Sequence, residues 1–286
     1  MTFQFRHYSQ LARWHQPTGI GLVLLPCWWG LFLSQPPLFP TKYFWLFLAG
    51  AFVMRGAGCT YNDMVDYDLD RHVKRTALRP LAAGHLNFYQ SFIFLSLQLF
   101  AGLLILIQFP IHTIKWGLAS LILVAFYPWM KRLTYWPQAF LGLTFNWGVF
   151  LGWSLYQPFF QLAPLLLYFV GVCWTLGYDT IYAHQDRQDD LAIGIKSSAL
   201  TLGNHTRKFL AFNYALLIIL LIAVGWLAQL TYLYYIGLIF VTLHLIWQIS
   251  TLDIYNSDDC HRKFKANVWT GSLILGCFMA SWLQKL

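Results

Sequence analysis

Acidic residues in this chain are confined to a few short stretches. All eleven are Asp, and Glu does not occur. Eight of them fall in two segments, each of which follows a long apolar run: Asp63, Asp66, Asp68 and Asp70 in the first, and Asp179, Asp186, Asp189 and Asp190 in the second. The short Asp side chain has little rotamer freedom to lose when it holds a cation. The distribution therefore indicates two clusters of oxygen ligands rather than a solvated surface.

The spacing of these residues places them on common helix faces. Asn62, Asp66 and Asp70 follow one another at intervals of four, and Asp186 and Asp190 are also four apart. Two carboxylates about 6 Å apart repel each other by roughly 3 kcal/mol at an effective dielectric constant of 20, so a cation between them is expected. Mg²⁺ suits such a site because it binds one or two carboxylates together with substrate phosphates.

Basic residues accompany both acidic segments. Arg and Lys can neutralise the phosphate oxygens that a metal leaves uncoordinated. Arg71, Lys74, Arg75 and Arg79 follow the first segment, Arg187 and Lys196 accompany the second, and Tyr127, Lys131 and Arg132 lie between the two. Two half-sites that face each other could clamp one diphosphate between two metal ions. Positive-inside topology is the alternative explanation for the basic residues, and an interfacial Tyr beside a snorkelling Lys is the alternative for Tyr127 and Lys131.

The elements that must position these residues are membrane helices. The chain is 58% hydrophobic and 10% charged, whereas soluble domains carry about 25% charged residues. Apolar runs of spanning length recur along it and predict an all-α polytopic membrane protein, a nine-helix transmembrane bundle that forms one domain over residues 1–286. The predicted spans are 17–36, 42–60, 88–109, 112–130, 138–156, 161–180, 208–228, 231–250 and 266–285. The Asp-rich segments, 61–86 and 178–205, follow the second and sixth spans.

Charge asymmetry predicts the orientation. If the N-terminus is cytoplasmic, all Lys and Arg residues except Lys42, Lys115 and Lys285 fall on the cytoplasmic side. The net charge of +8 then reports topology and anionic lipid rather than nucleic acid. Residues 1–16 resemble neither a cleaved signal nor an organelle transit peptide, so we expect a bacterial inner membrane. At mid-bilayer eight Asp would cost on the order of 20 kcal/mol, so both segments are expected at the aqueous mouth.

Long motifs in the two segments resemble those of a known family. Residues Asn62–Gly84, NDMVDYDLDRHVKRTALRPLAAG, look like the first signature of the UbiA prenyltransferase superfamily. Residues Tyr178–Leu200, YDTIYAHQDRQDDLAIGIKSSAL, resemble the second signature of its branch that prenylates 4-hydroxybenzoate. Phe126–Gln138 and Arg13–Pro26 are similar to two further conserved stretches, so the resemblance covers nearly the whole chain.

This resemblance implies a fold, a reaction and a set of site residues. It implies a nine-helix bundle with a lateral opening for a lipid tail, Mg²⁺ as cofactor, and transfer of a polyprenyl group from polyprenyl diphosphate to 4-hydroxybenzoate. The carbon ortho to the hydroxyl would be prenylated, an early membrane step of ubiquinone synthesis. Implied metal ligands are Asn62, Asp63, Asp66, Asp70, Asp179, Asp186 and Asp190, of which Asp66, Asp70, Asp186 and Asp190 would be catalytic. Implied substrate-binding residues are Arg75, Arg79, Tyr127, Lys131, Arg132 and Lys196.

The chain departs from the family pattern at two positions. Tyr67 stands where many relatives have Arg, and Gln188 where some have Asp. If the missing Arg helps to hold the acceptor carboxylate, another base must do so, and Arg132 is the sequence candidate. We expect little effect from Gln188, since Asp186 and Asp190 are retained.

Other functions agree less well with the sequence. Menaquinone-type, haem O and chlorophyll-type prenyltransferases share the first motif and differ in the second. A transporter would place ionisable residues near mid-membrane, whereas His244 is the one such residue in the last three predicted spans. A non-enzymatic assembly protein would not need paired Asp faces.

Overall fold

The computed structural model describes residues 2–72, 76–187, 191–192, 194 and 196–286. Within these ranges the secondary structure consists of helices and turns. The helices are α1 (Thr2–Leu11), α2 (Pro17–Leu33), α3 (Thr41–Val65), α4 (Tyr67–Asp70), α5 (Phe88–Leu106), α6 (Ile111–Phe126), α7 (Met130–Leu133), α8 (Pro137–Phe145), α9 (Gly148–Trp153), α10 (Leu162–Ala183), α11 (Ser198–Leu202), α12 (Thr206–Leu227), α13 (Tyr232–Ser250) and α14 (Ser257–Lys285).

The all-helical membrane fold predicted from the apolar runs is confirmed, but the count of nine spans is not. Six helical segments in the described part of the chain are long and apolar enough to cross a membrane, and α2 is a shorter apolar helix. The predicted fifth span is divided into α8 and α9. The division falls at Asn146, whose side-chain amide donates to Gly142 O (2.9 Å) and to Thr175 Oγ1 on α10 (2.8 Å).

Helices α2 and α9 pack closely against each other. A Cβ at Gly30 would lie 2.1 Å from Val149 O, and one at Gly152 would lie 2.0 Å from Cys27 O. Glycine is therefore required at these positions, as is common where membrane helices approach backbone to backbone. Trp29 of α2 packs on Trp174 of α10 and donates to Gly271 O of α14 (2.9 Å), so α2 is tied to the second half of the bundle.

Each helix that leads into an Asp-rich segment is fixed to a neighbour by buried side-chain hydrogen bonds. On α3, Thr60 donates to Gln98 of α5 (3.0 Å). On α10, Trp174 donates to Asn267 of α14 (3.1 Å), and Asn267 in turn donates to Gln248 of α13 (3.0 Å). These contacts fix the position of the polar ends of α3 and α10.

Two helices begin or end differently from the sequence-based expectation. Helix α3 continues to Val65, beyond the predicted end at 60, and so carries Asn62. Helix α14 starts at Ser257 rather than near 266, because Asn256 caps it by accepting from the backbone N–H groups of Asp258 and Asp259. Lys263 and Lys265 therefore lie on a helix and not in the loop expected from the sequence. His244, which lies within a predicted span, makes an interhelical hydrogen bond to Thr270 of α14 (2.9 Å).

Candidate active site

The two Asp-rich segments line one large cavity. Its volume is about 1390 Å³, and its wall includes Asn62 and Asp70 from the first segment and Asp179 and Asp186 from the second. The half-sites therefore face each other across a shared space, as the sequence predicts. Cavity-lining basic and phenolic groups include Arg13, Arg55, Arg79, Tyr127, Lys131, Lys196 and Lys265.

Asp66 is buried directly behind the wall of this cavity. Its Oδ2 accepts hydrogen bonds from Lys131 Nζ and from Asn62 Nδ2 (3.0 Å), both of which belong to lining residues. Arg132 lies 3.5 Å from Oδ1, an atom that has no hydrogen-bond partner. Burial raises the pKa of Asp66, and the adjacent Lys131 ammonium opposes that rise.

Asp63 and Asp70 are bridged by arginines. Asp63 is fully buried and accepts from Arg13 (2.6 Å) and Arg79 (3.0 Å), while Arg79 also contacts Asp70 (2.6 Å). Asp63 does not line the cavity, and its two arginine partners leave it positioning Arg13 and Arg79 rather than facing a ligand. Its sequence-based role as a metal ligand is thus not supported by its surroundings. Arg13 adopts a left-handed backbone (φ 53°), which turns the chain between α1 and α2 toward this network.

In the second segment, Asp179 and Asp186 lie about two helical turns apart, near and just beyond the end of α10. Both line the cavity, Asp179 within the helix and Asp186 in the 3₁₀ turn that follows it. Asp190 and Arg75 lie outside the described residues, so their predicted roles have no structural counterpart here.

The remaining predicted binding residues divide into two groups. Tyr127, Lys131 and Lys196 line the cavity, and the Lys196 ammonium lies 5.2 Å from the Tyr135 ring centroid. Arg132 does not line it: its guanidinium donates to Val65 O (2.9 Å) and lies over the Trp129 ring. The structure therefore offers Arg132 as a support for the end of α3 more than as a ligand for a carboxylate.

Sequence reasoning missed Arg55 as a site residue. Arg55 lines the cavity from within α3, its Nε is buried without a hydrogen-bond partner, and its Nη1 contacts Cys59 Sγ (2.5 Å). A charged residue inside a predicted span signals function by default. Its place near the predicted end of the span concealed that signal.

The opposite end of the cavity is an apolar arm. Phe47 and Phe109 line this arm, with ring centroids 4.9 Å apart. Phe47 and Asn62 are fifteen positions apart on α3, which places them about 22 Å from each other along the helix. Leu99 and Leu103 of α5 and Leu118 and Leu121 of α6 line the arm while remaining 40–49% exposed. Because α5 and α6 have spanning length and hydropathy, these exposed leucines lie on helices that can face lipid.

The donor atoms around the cavity suit a hard divalent cation. Carboxylate and amide oxygens of Asn62, Asp70, Asp179 and Asp186 line the cavity. Among the described residues no three His, Cys, Asp or Glu side chains are grouped closely enough to hold a metal. Lys131 and Arg79 contact the carboxylates of Asp66 and Asp70. The residues fit Mg²⁺ provided that a ligand draws these cations away.

Known proteins resemble the chain along its length. It is 47% identical to the mitochondrial 4-hydroxybenzoate polyprenyltransferase of Arabidopsis thaliana over 95% of this chain and 67% of that one. Identity to the human protein of the same name is 48%, over 97% of this chain and 76% of that one. The fold matches a UbiA homolog from Aeropyrum pernix K1 with a TM-score of 0.76 at 23% identity, covering 93% and 98% of the two chains.

These relatives correct the expected location. The bacterial inner membrane inferred from residues 1–16 is contradicted, since the relatives from plant, insect and mammal are mitochondrial enzymes. The short N-terminal stretch carries too little information to assign a compartment, whereas the multi-pass membrane character rests on the helices themselves.

A family model gives the same classification as the fold and the relatives. It matches residues 23–271, which include both Asp-rich segments and all the helices from α3 to α13. The chain belongs to the UbiA prenyltransferase family.

Proposed function

We propose that this chain transfers a polyprenyl group from polyprenyl diphosphate to the ring carbon ortho to the hydroxyl of 4-hydroxybenzoate, a step of ubiquinone biosynthesis. One observation carries the proposal: a single cavity has acidic and basic groups at one end and a lipid-facing apolar arm at the other. This polarity matches a substrate with a charged diphosphate head and a long hydrocarbon tail. Relatives named 4-hydroxybenzoate polyprenyltransferase support the choice of acceptor. We treat residues 1–286 as one catalytic domain.

Magnesium is the proposed cofactor. A UbiA homolog from Archaeoglobus fulgidus has been solved bound to GPP and Mg²⁺, and it matches this fold with a TM-score of 0.74 at 17% identity over 97% of this chain and 99% of that one. Here Asn62, Asp66 and Asp70 would hold the ion on one side, and Asp186, with Asp190, on the other. The metal supplies positive charge that stabilises the departing diphosphate. Arg79 and Lys131, released from their carboxylates, are placed to bind the remaining phosphate oxygens.

Arg55 is the proposed anchor for the acceptor carboxylate. It lies deeper in the cavity wall than Lys131, and it has an unsatisfied N–H. A guanidinium binds a carboxylate through paired hydrogen bonds, which would also orient the aromatic ring. The apolar wall beside it includes Phe145, whose ring centroid lies 5.6 Å from the Arg55 guanidinium.

Exclusion of water is the other requirement that the cavity meets. Loss of diphosphate leaves an allylic cation, which water would trap as an alcohol. Aromatic faces such as those of Phe145 and Trp147 line the space and can stabilise positive charge on carbon. The ring carbon then attacks, and the aromatic system is restored by loss of a proton.

A product assay tests the proposal. Purified chain in lipid nanodiscs is incubated with Mg²⁺, labelled 4-hydroxybenzoate and prenyl diphosphates of graded length, and prenylated acid is the expected product. Parallel reactions with naphthoquinone precursors, haem or chlorophyll precursors as acceptors should remain blank. Prenylation of one of those acceptors in place of 4-hydroxybenzoate would contradict the proposed acceptor.

A further inference from the structure

The last helix contributes a basic group to the cavity that lies outside both Asp-rich segments. His261, Phe264 and Lys265, in the first turns of α14, all line the cavity. The Phe264 ring lies 4.5 Å from the Tyr182 ring of α10, and the same end of α14 packs on the turn that contains Asp186. Lys265 is thereby held at the second half-site.

Three cations in these turns of α14 have different surroundings. Arg262 is 74% exposed and pairs with Asp259 (3.1 Å). Lys263 is buried, donates to Thr251 Oγ1 (2.5 Å) and lies over the Trp247 ring. Lys265 is exposed, and within the described part of the chain it makes no hydrogen bond or ion pair. Of the three, Lys265 is the one that both lines the cavity and retains an uncompensated charge.

Three other cations of the cavity already have anionic partners, whereas Arg55 contacts Cys59 and Lys196 contacts Leu133 O. Arg13 and Arg79 hold Asp63 and Asp70, and Lys131 holds Asp66. These partners belong to the first half-site. At the second half-site, Lys265 faces the cavity without such a partner. A cleft with low-dielectric walls strengthens the attraction of such a charge for an anion.

We propose that Lys265 binds a phosphate group of the prenyl diphosphate on the Asp186 side of the cavity. The inference rests on the proposed function and adds a third element, α14, to the two acidic segments. A Lys ammonium is a compact point charge that suits non-bridging phosphate oxygens. In this role Lys265 helps to hold the leaving group, while the Asp residues hold the metal.

The experiment compares two variants of the full chain in neutral-lipid nanodiscs. Binding of inorganic diphosphate in the presence of Mg²⁺ is measured by calorimetry for Lys265→Gln and for the matched control Arg262→Gln. Loss of one charge-assisted contact predicts a roughly 10- to 100-fold weaker affinity for Lys265→Gln. Arg262→Gln should bind like the wild type, and Lys265→Arg should recover most of the affinity. An unchanged affinity in Lys265→Gln, with wild-type thermal stability, would overturn the proposal.

Further arms separate this proposal from the proposed function and from lipid binding. In the transfer assay, Lys265→Gln should raise the KM for prenyl diphosphate and leave the KM for 4-hydroxybenzoate unchanged. If the wild type binds diphosphate through Lys265 but transfers no prenyl group, the function fails and the phosphate site stands. If the effect of Lys265→Gln appears only in discs that contain anionic lipid, Lys265 binds a lipid headgroup and the proposal is wrong.

Discussion

Asp66 is the residue at which burial, pairing and proposed metal binding coincide. Its carboxylate is fully buried; Oδ1 accepts no hydrogen bond but lies 3.5 Å from Arg132, and Oδ2 is held by Lys131. Such a carboxylate is costly unless a cation remains beside it. The Lys131 ammonium meets that need in this structure.

Replacement of Asp66 by Asn tests this assignment. Asn keeps the shape of the side chain but cannot neutralise Lys131 or a metal, so we expect kcat to fall at least about 100-fold. Asp68→Asn is the matched control, because Asp68 belongs to the same segment and is exposed. Initial rates at saturating Mg²⁺ measure both. Equal loss in the two variants would indicate a general effect of charge on the segment.

Substitutions of Arg55 and Arg132 are expected to differ in their effect on the KM for 4-hydroxybenzoate. Arg55→Gln should raise the KM for 4-hydroxybenzoate about 10- to 100-fold, the worth of one charge-assisted pair, with less change in the KM for prenyl diphosphate. Arg132→Gln should change the KM for 4-hydroxybenzoate less, because Arg132 lies outside the cavity and donates a hydrogen bond to Val65 O. The reverse order would restore Arg132 as the anchor that the sequence suggests.

At the scale of elements, α14 fixes the position of α10. Asn267 joins Trp174 to Gln248 within the membrane, and Phe264 packs on the tyrosines near Asp179. Buried interhelical hydrogen bonds of this kind typically contribute about 0.6 kcal/mol each, and at most about 1.7. Helix α14 carries none of the site residues predicted from the sequence, yet it determines where the second half-site lies.

Asn267→Leu should therefore destabilise the fold by about 1–2 kcal/mol, since several polar partners lose their contacts at once. It should also weaken activation by Mg²⁺, which a purely structural defect far from the site would not do. Thr242→Val is the control, because Thr242 bonds within its own helix to Leu238 O. Thermal midpoints in detergent and the Mg²⁺ dependence of the rate are the measurements. A wild-type Mg²⁺ dependence would remove the positioning role.

Element boundaries show what the sequence could predict. The pattern of apolar runs located the long helices of the bundle, because hydrocarbon exposure determines composition over about 20 residues. It missed the start of α14, where Asp258, Asp259 and three basic residues lower the hydropathy although Asn256 provides a cap. It also missed the break at Asn146, which depends on a hydrogen bond to Thr175 from another helix.

At the scale of the whole molecule, the shared cavity was predictable but the partners within it were not. The order of spans requires both acidic segments to lie on one side of the membrane. The sequence named both Asp63 and Asp66 as metal ligands, however, and the structure gives them different partners, since Arg13 reaches Asp63 from fifty residues away. Arg55 and Lys265 likewise acquire a role only once helices distant in sequence enclose a common space.

The apolar arm lined by α5 and α6 has a consequence for how the enzyme meets its substrate. If the tail enters this arm from the bilayer, the prenyl diphosphate concentration that matters is its two-dimensional density among lipids. We expect the rate at a fixed total amount of prenyl diphosphate to fall when inert lipid is added to mixed micelles. The rate should be restored when the mole fraction is restored, whereas dilution with buffer at a constant mole fraction should have little effect. Dilution of prenyl diphosphate by other lipids would then slow the enzyme even where the total amount of substrate in the sample is high.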